Sequence, residues 1–414
     1  MYELTEAFRI ALAQIGAHKM RSALTALGVI IGITAVTLMG AAIHGMDVSF
    51  ERSLDLLGND VLYVNKWPWT NMVDWWNFVN RPPILPENAA RLNKIIAATP
   101  HSLLEVSVPV CVYGVSVKTG THQASGVFLD GTTYAYARLL TADVVEGRFF
   151  TPEESDGGRQ VGVIGADVAD TLFPGQPAVG QSMMLGGQPY RVVGVLSRQG
   201  PFLGRFSYDN QIFVTIASAR KYFGTPRNGG TEVRVKVRDP ARMDDAVDEL
   251  IGAMRRVRGQ LPGERDNFTI NQQQAFKSQL DPVKRVIALV GLFITGLALS
   301  VGAIGIMNIT FVSVKERTRE IGTRKALGAR RRTILLQFLI EAVSICVAGG
   351  LAGVAVTFGL SLFIAKSLPN LPVDLSFALI AISMLVSVVT GVLAGFAPAL
   401  GASRLDPVDA LRYE

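Results

Sequence analysis

Four long apolar runs constrain this chain more than any other feature. They occupy about Ala23 to Ile43, Val286 to Val312, Ile334 to Ala365 and Leu375 to Leu400. In the second run the only polar side chains are Thr295, Ser300, Asn308 and Thr310, and in the third the only ionisable groups are Glu341 and Cys346. Each run reaches the roughly 20 residues that a helix needs to cross the hydrocarbon core. In lipid the backbone must satisfy its own hydrogen bonds, so such runs are helical. The interval from Met46 to Pro282 instead alternates charged, polar and apolar residues, as a globular domain does. The fold class expected is a membrane protein with four transmembrane α-helices and a large α+β extracytoplasmic domain between helices 1 and 2.

The boundaries read as a cytoplasmic amphipathic helix over 1–22, helix 1 over 23–46, the outer domain over 47–282, and helix 2 over 283–312. A loop over 313–332, helix 3 over 333–365, helix 4 over 375–400 and a cytoplasmic tail over 401–414 complete the chain. The short loops set the orientation, because Lys and Arg beside spanning helices stay in the cytoplasm. Arg9, Lys19 and Arg21 precede helix 1, the 313–332 loop holds eight basic and two acidic side chains, and Arg404 and Arg412 follow helix 4. The opposite loop, Lys366 to Asp374, has one Lys. Both termini and the basic loop are therefore expected inside a bacterial inner membrane. The net charge of +6 reflects this bias and does not point to nucleic acid. Helix 1 is longer than a signal-peptide core and lacks a clean cleavage pattern, so cleavage is not expected.

The two cysteines, Cys111 and Cys346, fall on the outer domain and in a spanning helix, so a disulfide is not expected. His18, His44, His101 and His122 show no metal-ligand spacing, and neither a nucleophile elbow nor a G-x-x-x-x-G-K-[ST] loop occurs in the 414 residues. The chain carries no catalytic signature and no cofactor or metal site.

Within the outer domain Val61–Asn65 reads as a strand, Pro86–Thr99 as a helix and Val106–Lys118 as a strand turning into Gln123–Leu129. Glu232–Val237, a helix over Ala241–Arg256 and Asn267–Ile270 form a second β-α-β set. The expectation is a base split between both ends of the domain, with a lobe inserted over about 130–228. Helical stalks are expected at both ends. Ile43, Phe50 and Leu57 are spaced by seven, as are Phe276, Val283 and Val290, which makes Phe50, Leu57, Phe276 and Val283 candidates for stalk packing. Ordinary amphipathic helix ends are the plainer reading, and Pro282 threatens a kink. All four tryptophans, Trp67, Trp69, Trp75 and Trp76, crowd into WPWTNMVDWW. They read either as a partner or membrane-interface surface or as a satellite apolar cluster.

The basic loop is more ordered than retention in the cytoplasm requires. In KERTREIGTRKALGA, Glu316 and Glu320 are four apart, as are Glu320 and Arg324, so a short helix can carry a ladder of charges. Gly328 suits a left-handed helix end. Attraction to anionic lipid is the plainer role. Small residues recur at four-residue spacing in the spans, at Gly28 and Gly32, Gly349 and Gly353, Gly391 and Gly395, which suits close helix packing. Glu341, the lone carboxylate inside the spans, reads as a structural pair near the inner face.

MNITFVSVKERTREIGTRKALGARRRTILLQFLIEAV closely resembles the central signature of MacB-like permeases of ABC transporters, a family that includes FtsX-like proteins. RSALTALGVIIGI, SRLDPVDALRYE and the stretch from Glu146 to Leu196 are similar to its opening, closing and external segments. The resemblance implies a permease subunit that couples ATP hydrolysis in a separate ATPase to motion of the outer domain for extrusion of a substrate. It implies that Glu316, Arg317, Arg319, Glu320, Gly322, Arg324, Lys325 and Gly328 dock on that ATPase, which binds the ATP and Mg. It further implies a permease homodimer and leaves room for a periplasmic adaptor and an outer-membrane channel. The alternative is a regulator that switches a cell-wall hydrolase outside the membrane.

Overall fold

The computed structural model describes residues 19–69, 75–120, 122–202, 206–226, 230–367 and 375–411, and for 19–26, 202, 206, 276, 279, 280 and 411 the backbone alone. Most of the expected 1–22 helix lies outside the described residues. The chain forms two compact units, Ser49–Pro282 on one hand and Met1–Val48 with Val283–Glu414 on the other. The first described element, α1 (Lys19–Asp55), enters the 49–282 unit through its last turns.

That unit follows the order β1 (Val61–Asn65), α2 (Trp76–Val79), α3 (Pro86–Ala98), β2 (Leu104–Thr119), β3 (His122–Thr132), β4 (Val144–Gly147), α4 (Pro152–Asp156), β5 (Val161–Ile164), α5 (Ala166–Leu172), β6 (Ser182–Leu185), β7 (Gln188–Leu196), β8 (Pro201–Phe202), β9 (Phe206–Ser207), β10 (Gln211–Thr215), α6 (Ile216–Phe223), β11 (Thr231–Val237), α7 (Met243–Arg258) and β12 (Thr269–Asn271). The strand order β12-β1-β11-β2 arises because β1 and β2 both run antiparallel to β11, while β11 and β12 both run antiparallel to β1. Two split β-α-β units thus interlock, and their crossover helices α3 and α7 cover one face. In α3, Ala89, Leu92 and Ile96 are buried at helical spacing, and Asn88 Oδ1 accepts the Leu85 N–H at 2.8 Å. In α7, Asp244 and Asp245 open the helix and Arg255, Arg256 and Arg258 close it, a charge order that favours the helix dipole. Leu62, Leu104, Val233, Val235, Leu250 and Met254 join these helices in one core.

The strands between β2 and β11 extend the same sheet. β2 pairs β3, β3 pairs β10, β10 pairs β5, β5 pairs β7, β7 pairs β6, and β6 returns to β2, which closes a ring of six strands. Closure removes exposed strand edges. Val117, Leu129, Ile164, Met183, Tyr190 and Val192 fill a second core there. The 16-residue β2 is long enough to serve both parts of the ten-stranded sheet.

A third core forms from Tyr63, Val108, Tyr136, Phe150, Val163 and Phe213, and it encloses Arg234. Arg234 Nε donates to Glu232 Oε1 at 2.5 Å, a guanidinium N–H donates to the Tyr136 hydroxyl, and Asp130 Oδ2 lies 4.0 Å away. The guanidinium also stacks 5.3 Å from the ring centroids of Tyr63 and Tyr136. Burial pushes the Asp130 carboxyl up to about 6, with Arg234 pulling the other way.

One expected contact is corrected here. Leu57 is buried in the third core beside Leu54, and its carbonyl accepts the Tyr63 hydroxyl at 2.5 Å, so it belongs to the domain rather than to a stalk seam. Val283 is 55% exposed, whereas Phe50 is half-buried. The Phe276 side chain lies outside the described residues. The tryptophans divide: Trp69 packs its ring 4.7 Å from Tyr63 and its backbone N–H donates to Asn271 Oδ1 at 2.9 Å, while Asn271 Nδ2 donates to the Trp67 carbonyl at 3.0 Å. Trp67 and Trp69 are therefore structural. Trp75 and Trp76 are exposed and touch edge to face.

The second unit holds the rest of α1 with α8 (Gln273–Glu316, from Val283 onward), α9 (Thr318–Ala326), α10 (Arg331–Ser367), α11 (Phe377–Arg404) and α12 (Pro407–Leu411). Among the described residues α1, α8, α10 and α11 are long and apolar enough to cross a membrane. α8 continues through Pro282. Lys284 pairs with Asp47 at 2.7 Å in this unit, and Lys277 with Glu51 at 3.8 Å in the other, so α1 and α8 are joined by ion pairs on each.

Small residues bring the spanning helices together. A Cβ on Gly28 would lie 3.2 Å from Gly302 Cα, one on Gly353 3.1 Å from the Ile30 carbonyl, and one on Gly391 2.9 Å from Val343 Cα. Polar groups close the seams: Thr37 Oγ1 donates to Ser383 Oγ at 2.9 Å, and Ser387 Oγ to the Cys346 carbonyl at 2.6 Å. Cys111 and Cys346 are both free and buried.

Candidate functional site

The basic segment between α8 and α10 folds into a short helix because its two ends carry local stop signals. At the start Thr318 Oγ1 donates to the carbonyls of Val314 and Lys315 at 3.1 and 2.9 Å, and Arg317 leaves helical geometry. At the other end the Gly328 N–H donates to the Lys325 carbonyl and the Ala329 N–H to that of Arg324, both at 3.0 Å. Gly328 has φ +96°, so the pair of bonds is the glycine-terminated helix end in which carbonyls are satisfied by the residues that follow.

One face of α9 turns inward. Thr318, Ile321 and Gly322 are buried, and Ile321 packs with Val314, Ile334, Phe338, Ala399 and Ala402. Polar contacts fix the same helix to its neighbours. Arg317 lies 3.7 Å from Glu341 Oε2, and Ser313 Oγ donates to Glu341 Oε1 at 3.5 Å, which gives the carboxylate within α10 its structural partners. Arg324 donates to Gln337 Oε1 at 2.7 Å and to Glu320 Oε1 at 2.5 Å. Lys325 Nζ donates to the Leu405 carbonyl at 2.6 Å, and desolvation, then repulsion from Arg331, holds its pKa below the ordinary lysine value. Asp406 caps α12 through the Val408 N–H at 2.9 Å, and Ala410 is buried.

The other face is open. Glu316, Arg319, Glu320 and Gly328 are exposed, and so is Leu327, at 89%. The eight expected coupling residues therefore separate: Arg317, Gly322, Arg324 and Lys325 position the helix, while Glu316, Arg319, Glu320 and Gly328 lie on its surface. Leu327 was missed by the sequence reading. Its signal is positional, since an apolar residue just before a helix-ending glycine has no interior to enter. Burying it against a partner would contribute about 1.5–3 kcal/mol. Among the described residues there is no cluster of three or more His, Cys, Asp or Glu able to hold a metal ion.

Four spanning helices, a large α/β domain inserted after the first and a braced helix between the second and third define a multi-pass membrane permease. Residues 22–253 match the MacB-like periplasmic core domain and residues 292–407 the FtsX-like permease C-terminal family. The chain belongs to the MacB-like permease family of ABC transporters. It is 33% identical over its whole length to the macrolide export ATP-binding/permease protein MacB of Bdellovibrio bacteriovorus, of which it covers 62%. It is 30% identical to the uncharacterized ABC transporter permease YknZ of Bacillus subtilis, with 99% of this chain and 100% of that protein aligned. The crystal structure of the periplasmic region of MacB from Actinobacillus actinomycetemcomitans is similar over 55% of this chain and 95% of its own, at 16% identity and a TM-score of 0.44. The chain thus spans about three fifths of the ATP-binding/permease relatives and the full length of the permease-only one.

Proposed function

We propose that this chain is the permease subunit of an extruding ABC transporter, paired with a second copy and with two copies of a separate ATPase that binds ATP and Mg. The observation that carries the reading is α9 with its flanking residues, a segment braced from within by Ile321, Arg317, Arg324 and Lys325 whose outer face presents Glu316, Arg319, Glu320 and Leu327. A helix tied to α8, α10 and the 405–411 tail passes displacement to them instead of absorbing it. α1 and α8, of 37 and 44 residues, would extend about 55 and 66 Å, roughly twice the hydrocarbon thickness, so movement at one end reaches the outer domain along continuous helix. The relative named for macrolide export supports extrusion over the regulatory alternative.

The test replaces Leu327 with Asp and Glu320 with Lys, separately, in the reconstituted complex. Loss of the buried apolar contact is expected to weaken ATPase docking about ten- to hundred-fold and to lower permease-dependent ATP turnover accordingly. Both side chains are exposed, so the permease alone should keep its thermal transition. Unaltered turnover in both variants would reduce the loop to a topology signal.

The orientation is tested with Thr323→Cys and Asn370→Cys, since both native cysteines are buried and give little background. In intact cells an impermeant thiol reagent should label position 370 and spare position 323. Labelling of 323 from outside would reject cytoplasmic placement of α9.

A further inference from the structure

The outer part of the sheet contains a cavity of about 830 Å³ whose charge is unbalanced. Its volume lies within the ~300–1,000 Å³ of small-molecule sites. Four cationic side chains line it, Arg148, Arg159, Arg191 and Lys221, against one carboxylate, Glu154. That carboxylate is already committed. Arg148 grips it with two bonds of 2.7 and 2.8 Å, and Glu154 Oε2 also accepts the Thr151 N–H at 2.9 Å as part of a capping box. The Arg148 fork, with that backbone bond, holds the Glu154 pKa down at about 2, so the pair stays ionised and mutually satisfied at any physiological pH.

Arg191 and Lys221 are left without an acidic partner among the described residues, and Arg159 adds only a weaker pull on the Glu154 that Arg148 already holds. Backbone pairing holds two of them together, because β5 and β7 run parallel with Val161 opposite Arg191, and the Arg191 N–H donates to the Gln160 carbonyl at 3.0 Å. Lys221 reaches the same cavity from α6. Three like charges around a concavity repel one another and concentrate a positive field in it. Gln160, between Arg159 and Val161, also lines the cavity and is uncharged, so it leaves the excess of positive charge unchanged. Val179, partly exposed, and Tyr222 add apolar surface beside the cations.

We propose that this cavity binds a small anionic ligand, whose phosphate or carboxylate group sits among Arg159, Arg191 and Lys221. Val179 and Tyr222 then accommodate an apolar portion where the ligand has one. The site is independent of the ATPase-coupling reading, since every residue in it belongs to the 49–282 unit.

The test uses the full chain in a neutral maltoside detergent and titrates it calorimetrically at low ionic strength. The probes are inorganic phosphate and dihexanoyl phosphatidate, with uncharged dihexanoylglycerol as the control. Saturable binding of at least one anion is expected, and none of the control. Tighter binding of the phosphatidate supports an amphiphile as the ligand, and equal binding supports a free anion. The triple variant Arg159→Gln, Arg191→Gln, Lys221→Gln should bind at least about tenfold more weakly. An unchanged thermal transition will show that the triple variant is folded. Absence of saturation by either anion up to ~10 mM, beyond any useful affinity, would overturn the proposal, as would wild-type affinity in the folded triple variant.

Discussion

Replacing Arg234 with Leu is expected to destabilise the 49–282 domain by about 3–5 kcal/mol at neutral pH, because removing one member of a buried charge cluster strands the others. Glu232 loses its 2.5 Å partner, and Asp130, 5% exposed, loses the cation that faces it. Tyr63 and Tyr136 lose the guanidinium against their rings. The pH dependence gives the sign. Asp130 titrates near 6 in the folded domain against an ordinary 3.8, so between those values the folded state binds the extra proton and stability falls as pH rises. Arg234 is the group that holds this value down, so without it the penalty grows at neutral pH and vanishes in acid. Urea unfolding of wild type and Arg234→Leu at about pH 4 and pH 7.5 should show the larger difference at the higher pH. Adding Asp130→Asn should restore part of the loss and flatten the profile. An Arg234→Leu effect independent of pH would exclude Asp130 as the responsive group.

Gly391→Leu is expected to separate α10 from α11. A Cβ at Gly391 already meets Val343 Cα and Cys346 Sγ at 2.9 Å, and one at Gly395 meets Ala342 Cβ at 2.6 Å. Backbone cannot yield as a side-chain tip can, so the branched chain must push the helices apart. Overpacking of this kind costs about 1–3 kcal/mol or more, and the Ser387–Cys346 hydrogen bond is lost with it. Gly359→Leu is the matched control, since nothing lies within 4 Å of its Cβ. Thermal unfolding in detergent and abundance in membranes should fall for Gly391→Leu and hold for Gly359→Leu. Equal behaviour of the two would mean that the close approach does not support the bundle.

Much of the candidate site was legible because its signals are local. The charge ladder yields the Glu320–Arg324 pair at 2.5 Å, and Gly328 closes the helix with positive φ. Which members face outward was not legible. Arg324 and Lys325 are adjacent and chemically alike to Glu320's neighbours, yet their partners, Gln337 and the Leu405 carbonyl, come from α10 and the segment after α11. The seven-residue spacing of Ile43, Phe50 and Leu57 misled for the same reason. A helical period shows that a face is apolar without naming what covers it, and α1 ends at Asp55, leaving Leu57 to enter the domain core.

The sequence by itself determined the four spans, the single inserted domain and the glycine seams, since length, composition and four-residue spacing act within one helix and need no distant partner. It also determined individual strands such as Val61–Asn65. Only the tertiary structure decided how those strands join, for β2 pairs β11 across more than a hundred residues and closes a ring through β6. Only the tertiary structure turned Glu232 and Arg234, the polar face of an alternating strand, toward Tyr63 and Tyr136 instead of water. It likewise seated Trp67 and Trp69 while leaving Trp75 and Trp76 exposed. The physical reason is common to all three: alternation fixes which side chains share a face, and the free energy of that face depends on which residues, far off in sequence, are folded against it.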